Sequence, residues 1–204
     1  MPSASKIGIV ILAAGLSSRL GKPKQMLEFK GKSLLKHAVT AAVDSNASFV
    51  VVVIGANATL IVKELDNNEV HVVENKNWQE GMASSIRCGL KAVTKKAPLT
   101  DAVIFLVCDQ PHISAKLVNE IIMVHQQTGR PIVACNYGDT FGPPVLFYKS
   151  FFDELNLLQG DVGAKKIIQQ YSEELTSVPF AAGTIDIDKE QDYEALKKWS
   201  SKTI

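Results

Sequence analysis

Four short apolar runs recur along the first half of the chain, and a stretch with helical periodicity follows each of them. Apolar runs without the alternation of a half-exposed strand are typical of strands covered on both faces of a parallel sheet. The runs are IGIVILA (7–13), FVVVVIG (49–55), VHVVEN (70–75) and AVIFLVCD (102–109). Strands that alternate with helices in this way predict an α/β fold with a mostly parallel sheet.

The second half of the chain is less regular. It contains two strand-like segments, two adjacent helices and a last helix: PIVACNY (131–137), PVLFYK (144–149), 151–158, 163–171 and 190–199. No internal repeat, low-complexity tract or Pro/Gly-rich linker divides it. We therefore expect a single domain over residues 1–204, a Rossmann-like three-layer arrangement whose late strands add antiparallel pairs to the mostly parallel central sheet.

Composition narrows the functional classes. The net charge of +1 lacks the basic surplus that nucleic-acid binding needs, so we expect no nucleic-acid partner. No apolar run is long enough for a transmembrane helix and no signal-peptide pattern precedes Lys6, so we expect no membrane association and a cytoplasmic location. The three cysteines, Cys88, Cys108 and Cys135, are widely spaced beside apolar residues, which predicts buried reduced thiols.

In parallel sheets, ligands bind beyond the carboxyl ends of the strands. The loop after the first apolar run carries Arg19, Lys22 and Lys24 but no carboxylate, and this favours a polyanionic ligand. Arginine offers a planar fork for two phosphate oxygens, and lysine is a compact charge for one phosphoryl group. A solvated basic loop without a ligand is the alternative.

Two common nucleotide motifs do not fit. Only Gly15 and Gly21 fall in the first loop, where a dinucleotide-binding turn needs G-x-G-x-x-G. The triplet Gly31-Lys32-Ser33 imitates the end of a phosphate loop, but Met26 stands where the first glycine of that motif belongs. We interpret the triplet as a turn that leads into a helix.

A carboxylate, Asp109, ends the fourth apolar run at the same edge of the sheet. Mg²⁺ typically takes one or two carboxylates together with phosphates and waters. Asp109 close to the basic loop therefore predicts a magnesium site. The alternative is an aspartate that forms a turn before Pro111.

The basic loop is one of several segments that resemble the same protein family. LAAGLSSRLGKPK resembles the signature L-A-A-G-x-S-x-R-x-G-x-P-K of the molybdenum cofactor cytidylyltransferase branch of the MobA-like NTP transferase family. Leu20 replaces the usual methionine of that family. Further segments are similar in the same order, namely NKNWQEGMASSIRCGL, CDQPHIS, FGPPVLF, LLQGDVGAKKII and DIDKEQDY. The resemblance covers most of the chain and implies a nucleotide-diphospho-sugar transferase-like fold.

The resemblance also implies a reaction and roles for residues. A phosphate oxygen would attack the α-phosphorus of CTP and expel pyrophosphate. Arg19 would hold the β- and γ-phosphates and Lys24 the α-phosphate, and with Asp109 these are the implied catalytic residues. The implied nucleotide-binding residues are Leu12, Ala13, Ala14, Gly15, Ser17, Arg19, Lys24, Gly81 and Ser85. Ser84 is an alternative to Ser85, and either serine is also an ordinary helix cap.

The resemblance implies a second metal ligand near the end of the chain. We favour Asp188 over Asp186, because Asp188 begins a D-x-x-x-D-Y pattern like that of the family. The implied metal ligands are therefore Asp109 and Asp188, although Asp188 is also a possible N-cap of the last helix. Asp161 is a candidate for contact with the acceptor or for the cap of the next helix.

The expected function is Mg²⁺-dependent transfer of CMP from CTP to a molybdopterin-type cofactor. The expected partners are CTP or another NTP, a phosphorylated pterin acceptor, and a recipient molybdoenzyme or its chaperone. Two alternatives stay open. One is cytidylyl or adenylyl transfer to another small phosphorylated acceptor, such as methylerythritol phosphate. The other is a non-catalytic nucleotide-binding accessory protein for molybdoenzymes.

Overall fold

The structure of the chain is a computed structural model. It describes residues 5–17, 20–65, 69–185, 187 and 189–200, with the backbone alone for 199 and 200. Three residues of the predicted site, Arg19, Asp186 and Asp188, lie outside the described residues.

A seven-stranded sheet forms the centre of the fold. The described part of the chain contains these seven strands and two further short ones: β1 (Ile7–Ala13), β2 (Glu28–Phe29), β3 (Lys32–Ser33), β4 (Phe49–Ile54), β5 (His71–Glu74), β6 (Ala102–Val107), β7 (Ile132–Asn136), β8 (Phe141–Tyr148) and β9 (Leu175–Pro179). The order in the sheet is β5-β4-β1-β6-β8-β7-β9, and β2 and β3 form a separate two-stranded hairpin. Strand β8 is antiparallel to both of its neighbours, whereas the other pairs in the large sheet are parallel. The predicted α/β class with a late antiparallel addition is confirmed.

Helices cover both faces of the sheet. They are α1 (Leu34–Val43), α2 (Ala58–Leu65), α3 (Met82–Lys96), α4 (Ala115–Thr128), α5 (Phe152–Asn156), α6 (Lys165–Gln170) and α7 (Glu190–Ser200). The core on one face joins the sheet to α1, α2 and α4, and the core on the other joins it to α3, α5 and α6. Ile9 and Ile11 enter the first core and Val10 enters the second. This double burial explains why the strand is apolar at every position.

The parallel pairing brings the loops after β1, β4, β5 and β6 to one edge of the sheet. The first two of these loops are in direct contact, because the Ala56 N–H donates to the Ala14 carbonyl at 3.0 Å. The contact is tight at Gly55, where an added Cβ would lie 2.7 Å from the Trp78 Cβ and 2.9 Å from the Ala14 Cβ. A glycine is therefore required for the loops to close on one another.

Helix α7 packs against the segment that follows the basic loop. A small apolar core, here called the terminal cluster, holds the two together; its members are Leu20, Leu27, Phe29, Leu34, Ile187, Tyr193 and Leu196. The Tyr193 hydroxyl donates to the Glu28 carbonyl at 2.9 Å, and the Ile187 N–H donates to the Asp109 carbonyl at 3.2 Å. The last helix is thereby fixed to both the basic loop and the end of β6.

Some elements differ from the sequence expectations. Strand β9 was not among the predicted strands, and it is an edge strand that pairs with β7 alone. The late helices α5 and α6 are shorter than predicted. The turn that we expected at the Gly31 triplet is formed by Lys30 and Gly31, both at positive φ. The other two residues of the triplet form β3, and Ser33 caps α1. Among the described residues, no helix combines the length and apolar composition needed to cross a bilayer.

Candidate active site

A cavity of about 550 Å³ opens at the carboxyl edge of the sheet, between the loops after β1, β5 and β6. The predicted residues that line it are Leu12, Ala13, Ala14, Gly15, Lys24, Gly81, Ser85 and Asp109. They come from parts of the chain that are almost 100 residues apart, and the fold gathers them around one space. The predicted participation of Arg19 and Asp188 stays a prediction, because both residues lie outside the described part.

Lys24 and Asp109 form an ion pair in the wall of this cavity. The Lys24 Nζ lies 2.6 Å from the Asp109 Oδ2, and each side chain is 19% exposed. A charge-assisted bond in a partly buried site is stronger than the same pair on an open surface. The pair brings the cation of the first loop together with the carboxylate that follows β6.

The first loop is held in shape by its own side chains. Ser17 has a positive φ of 59°, and its hydroxyl accepts a hydrogen bond from the Lys24 N–H at 3.0 Å. Lys24 then opens a short 3-10 turn that runs to Met26. Ser17 is thus bonded to the loop backbone and is not among the described residues that line the cavity. Its structural role is to hold the backbone at Lys24 in place.

The opposite wall is the start of α3, where the chain requires a glycine. Gly81 has a φ of 106°, and an added Cβ there would lie 2.6 Å from the Gly160 carbonyl oxygen. The segment of Gly160 and Asp161 packs on this helix start, and the Asp161 Oδ1 accepts a hydrogen bond from the Met82 N–H at 3.3 Å. The cap that we considered for Asp161 therefore acts on α3 and not on the next helix, whose N-cap residue is Ala164 without a side-chain bond.

The two serines of α3 have different surroundings. Asn75 is buried, and its Nδ2 donates to the Ser84 Oγ at 2.8 Å and to the Ser85 Oγ at 3.1 Å. The Ser84 hydroxyl in turn donates to the Gly81 carbonyl at 2.8 Å. Ser85 lines the cavity. Its oxygen accepts from Asn75, and a hydroxyl can donate as well as accept.

Sequence reasoning missed part of the lining. Gln25, Gln79 and Glu80 line the cavity, and none of them was a predicted site residue. Gln25 directly follows Lys24 in a basic segment, so nothing in the sequence marks it as buried. Trp78 also lines the cavity and packs against the core that includes α3.

Cys108 is a cavity residue with an altered acid–base state. Burial raises the pKa of its thiol to about 12, and burial likewise raises the pKa of Cys135 to about 12. Both thiols are therefore protonated at neutral pH. A protonated, buried thiol is a poor nucleophile, so Cys108 shapes the wall without reacting.

Native protein at pH 8 is expected to react with iodoacetamide at Cys88 well before Cys108 or Cys135. Cys88 is half-buried, whereas the other two thiols are buried and have a pKa of about 12. Burial raises the pKa of Cys88 too, so its reaction will be slow. Mass spectrometry of labelled peptides, before and after denaturation, measures the order in which the three thiols react. Equal labelling of Cys108 and Cys88 in the folded protein would contradict the buried assignment.

The residues present suit a metal that arrives with a phosphorylated ligand. The part of the chain that the structure describes contains no cluster of three or more His, Cys, Asp or Glu side chains able to hold a metal alone. Asp109 lies beside the cation that would meet the phosphates. Mg²⁺ fits such a site, because it usually combines one or two carboxylates with substrate phosphates and waters.

Fold and cavity together define an α/β protein with a phosphate-compatible site at the carboxyl edge of its sheet. The sequence profile described as the MobA-like NTP transferase domain matches residues 9–175. The chain belongs to this family of nucleotidyltransferases, which confirms the resemblance at the family level.

Several known proteins are similar to this chain over most of their length. Nicotine blue oxidoreductase of Paenarthrobacter nicotinovorans is 30% identical over 170 residues, which cover 79% of this chain and 80% of that protein. The crystal structure of Rv0371c from Mycobacterium tuberculosis H37Rv has a TM-score of 0.82 and 26% identity, and covers 96% of this chain and 100% of its own. A second structure of Rv0371c is a complex with manganese, with a TM-score of 0.76, 26% identity and coverage of 95% and 99%.

A further structure shows the fold alone. Molybdopterin-guanine dinucleotide biosynthesis protein A from Archaeoglobus fulgidus has a TM-score of 0.69 at 15% identity, and covers 96% of this chain and 100% of its own.

Proposed function

We propose that the protein is a cytoplasmic, Mg²⁺-dependent nucleotidyltransferase that moves CMP from CTP to the terminal phosphate of a molybdopterin-type cofactor. The products would be a cytosine dinucleotide cofactor and pyrophosphate. The observation that carries the proposal is the contact between Lys24 and Asp109 inside a cavity lined by the Ala13–Gly15 backbone. It brings a cation, a carboxylate and a peptide-lined surface to one place.

The chemistry of nucleotidyl transfer explains why a cation, a carboxylate and peptide groups would suffice for catalysis. A phosphate oxygen of the acceptor attacks the α-phosphorus, the bond to the bridging oxygen breaks, and pyrophosphate leaves with the electron pair. The nucleophile is already an anion, so positioning and charge stabilisation are the main requirements. Lys24 would stabilise the charge that develops around the α-phosphate. Arg19 would hold the two outer phosphates.

We assign the metal site to Asp109 and a second aspartate late in the sequence. Asp109 would hold Mg²⁺ together with phosphate oxygens, and Asp188 is our preferred second carboxylate, with Asp186 as the alternative. Bound Mg²⁺ would neutralise phosphate charge and polarise the α-phosphate. Ile187, the residue between these aspartates in the sequence, donates its N–H to the Asp109 carbonyl at 3.2 Å. The manganese complex of Rv0371c supports a divalent ion in this family.

The identity of the acceptor rests on the sequence signature. The form L-A-A-G with Pro23-Lys24 and the segment Cys108-Asp109-Gln110 resemble the cytidylyltransferase branch. The Archaeoglobus structure, whose name refers to molybdopterin-guanine dinucleotide biosynthesis, shares the fold. The first loop of this chain lacks the G-x-G-x-x-G of a dinucleotide-binding turn. We therefore do not propose dinucleotide-dependent redox chemistry, although the Paenarthrobacter relative is named an oxidoreductase.

Incubation of the purified protein with each of the four NTPs, Mg²⁺ and molybdopterin tests the proposal. We expect a cytosine dinucleotide and one pyrophosphate for each CTP consumed, with the other NTPs poorer substrates. Mass spectrometry identifies the dinucleotide, and a coupled phosphate assay measures the pyrophosphate. Methylerythritol phosphate in place of molybdopterin is the matched acceptor control, and preferential turnover of that acceptor would overturn the assignment. Nucleotide binding without any turnover would favour the accessory-protein alternative.

A further inference from the structure

We propose that Gln25 is a positioning residue that sets the orientation of the peptide groups from Ala13 to Leu16 and thereby the affinity for the nucleoside. This inference rests on the proposed function. Gln25 lies in the cavity wall directly after Lys24 and is 1% exposed. It carries no charge and takes no part in the chemistry described above, so its presence needs a separate explanation.

The Gln25 amide holds two carbonyls of the turn that follows β1. Its Nε2 donates to the Ala13 carbonyl at 2.9 Å and to the Gly15 carbonyl at 2.8 Å. Both protons of the NH₂ group are therefore in use. The carbonyl between them, that of Ala14, accepts from the Ala56 N–H at 3.0 Å. Three successive carbonyls of the turn thus have fixed donors.

Fixing these carbonyls also fixes the N–H groups of the turn. The C=O of one residue and the N–H of the next lie on opposite sides of the same planar peptide. Because Gln25 binds the Ala13 and Gly15 carbonyls, the N–H groups of Ala14 and Leu16 must point away from Gln25. Residues 13–16 all line the cavity. We infer that these N–H groups are the ones offered to the nucleoside.

The remaining polar atom of the amide is its oxygen. The Gln25 Oε1 is buried without a hydrogen-bond partner in the described part of the chain. A buried acceptor without a donor costs stability, but an apolar side chain would leave the Ala13 and Gly15 carbonyls without their donors. The two carbonyls also fix the amide in this orientation, because its oxygen cannot face them. The donors on Nε2 are what the glutamine supplies.

Two variants test the inference. Gln25→Met keeps the length and removes both donors, and Gln25→Glu keeps the shape but places acceptor oxygens against the two carbonyls. Calorimetry should show the Kd for CTP with Mg²⁺ rising about tenfold in Gln25→Met and at least as much in Gln25→Glu. The Kd for pyrophosphate with Mg²⁺ should stay within about twofold, because pyrophosphate has no nucleoside.

Controls separate positioning from loss of structure. Thr100→Val removes a buried hydroxyl that donates to the Ala97 carbonyl at 2.7 Å, just before β6 at the opposite edge of the sheet, and it should leave both Kd values unchanged. Equal losses for CTP and pyrophosphate in the Gln25 variants would mean collapse of the cavity and would overturn the inference. Unchanged CTP binding in these variants would overturn it too. Failure of the wild-type protein to bind CTP would instead overturn the proposed function.

Discussion

Asp109→Asn is expected to reduce turnover of CTP by about a thousandfold, the largest effect of any single change considered for this protein. The amide is isosteric but cannot supply the negative charge that would hold Mg²⁺ with the triphosphate. The apolar cores on the two faces of the sheet do not include this side chain, so the fold should persist. Steady-state pyrophosphate release measures the loss, and circular dichroism checks the fold.

Asp101→Asn is the matched control for this variant. Asp101 lies just before the start of β6 and Asp109 lies just after its end, and each pairs with a lysine, Lys149 at 2.9 Å and Lys24 at 2.6 Å. The control removes a similar ion pair from the other edge of the sheet, and turnover should be retained. If Asp109→Asn kept wild-type turnover, the metal assignment would be wrong.

Lys24→Met is expected to lower kcat about a hundredfold, with a smaller change in KM for CTP. The negative charge around the α-phosphate is greatest in the transition state, so the loss of its counter-charge should affect the rate more than binding. Methionine keeps much of the length and apolar stem of lysine. Single-turnover kinetics with saturating CTP isolates the chemical step.

The same variant has a second expected effect, on metal binding in the absence of nucleotide. The Asp109 Oδ2 accepts from the Lys24 Nζ in the structure, so a divalent ion must compete with Lys24 for this carboxylate. Removal of the lysine should tighten Mn²⁺ binding, as measured by electron paramagnetic resonance. Lys149→Met, which frees the carboxylate of Asp101, should leave it unchanged. Weaker Mn²⁺ binding in Lys24→Met would show that the two groups do not compete.

The sequence allowed much of the fold to be predicted, for identifiable physical reasons. Strands β1, β4 and β6 are buried on both faces, which produces an apolar run that is hard to mistake. Helix α2 follows the second apolar run, as expected from the helical periodicity there. Strand β9 was missed because it is a half-exposed edge strand with polar residues and a terminal proline, so neither alternation nor continuous apolarity marks it.

The part of the candidate site that could be predicted consists of charged residues in the loops that follow parallel strands. Asp109 lies just after the end of β6 and Lys24 lies in the loop after β1, so their position at the same side of the sheet followed from the parallel topology. Tertiary contacts were harder to predict. Asp161 caps α3, a helix almost 80 residues earlier in the chain, and no local pattern encodes that contact. Gln25 acts on backbone carbonyls, and a sequence does not show which direction those carbonyls take.

The packing of helix α7 beside the basic loop has a consequence for the synthesis of the protein. The terminal cluster is built from the first 35 and the last 18 residues of the chain, and Ile187 joins it to the end of β6. During translation, the cations of the basic loop emerge long before the helix that packs beside that loop. A ribosome-bound chain in which α7 has not yet emerged therefore lacks the terminal cluster and its contacts with this loop.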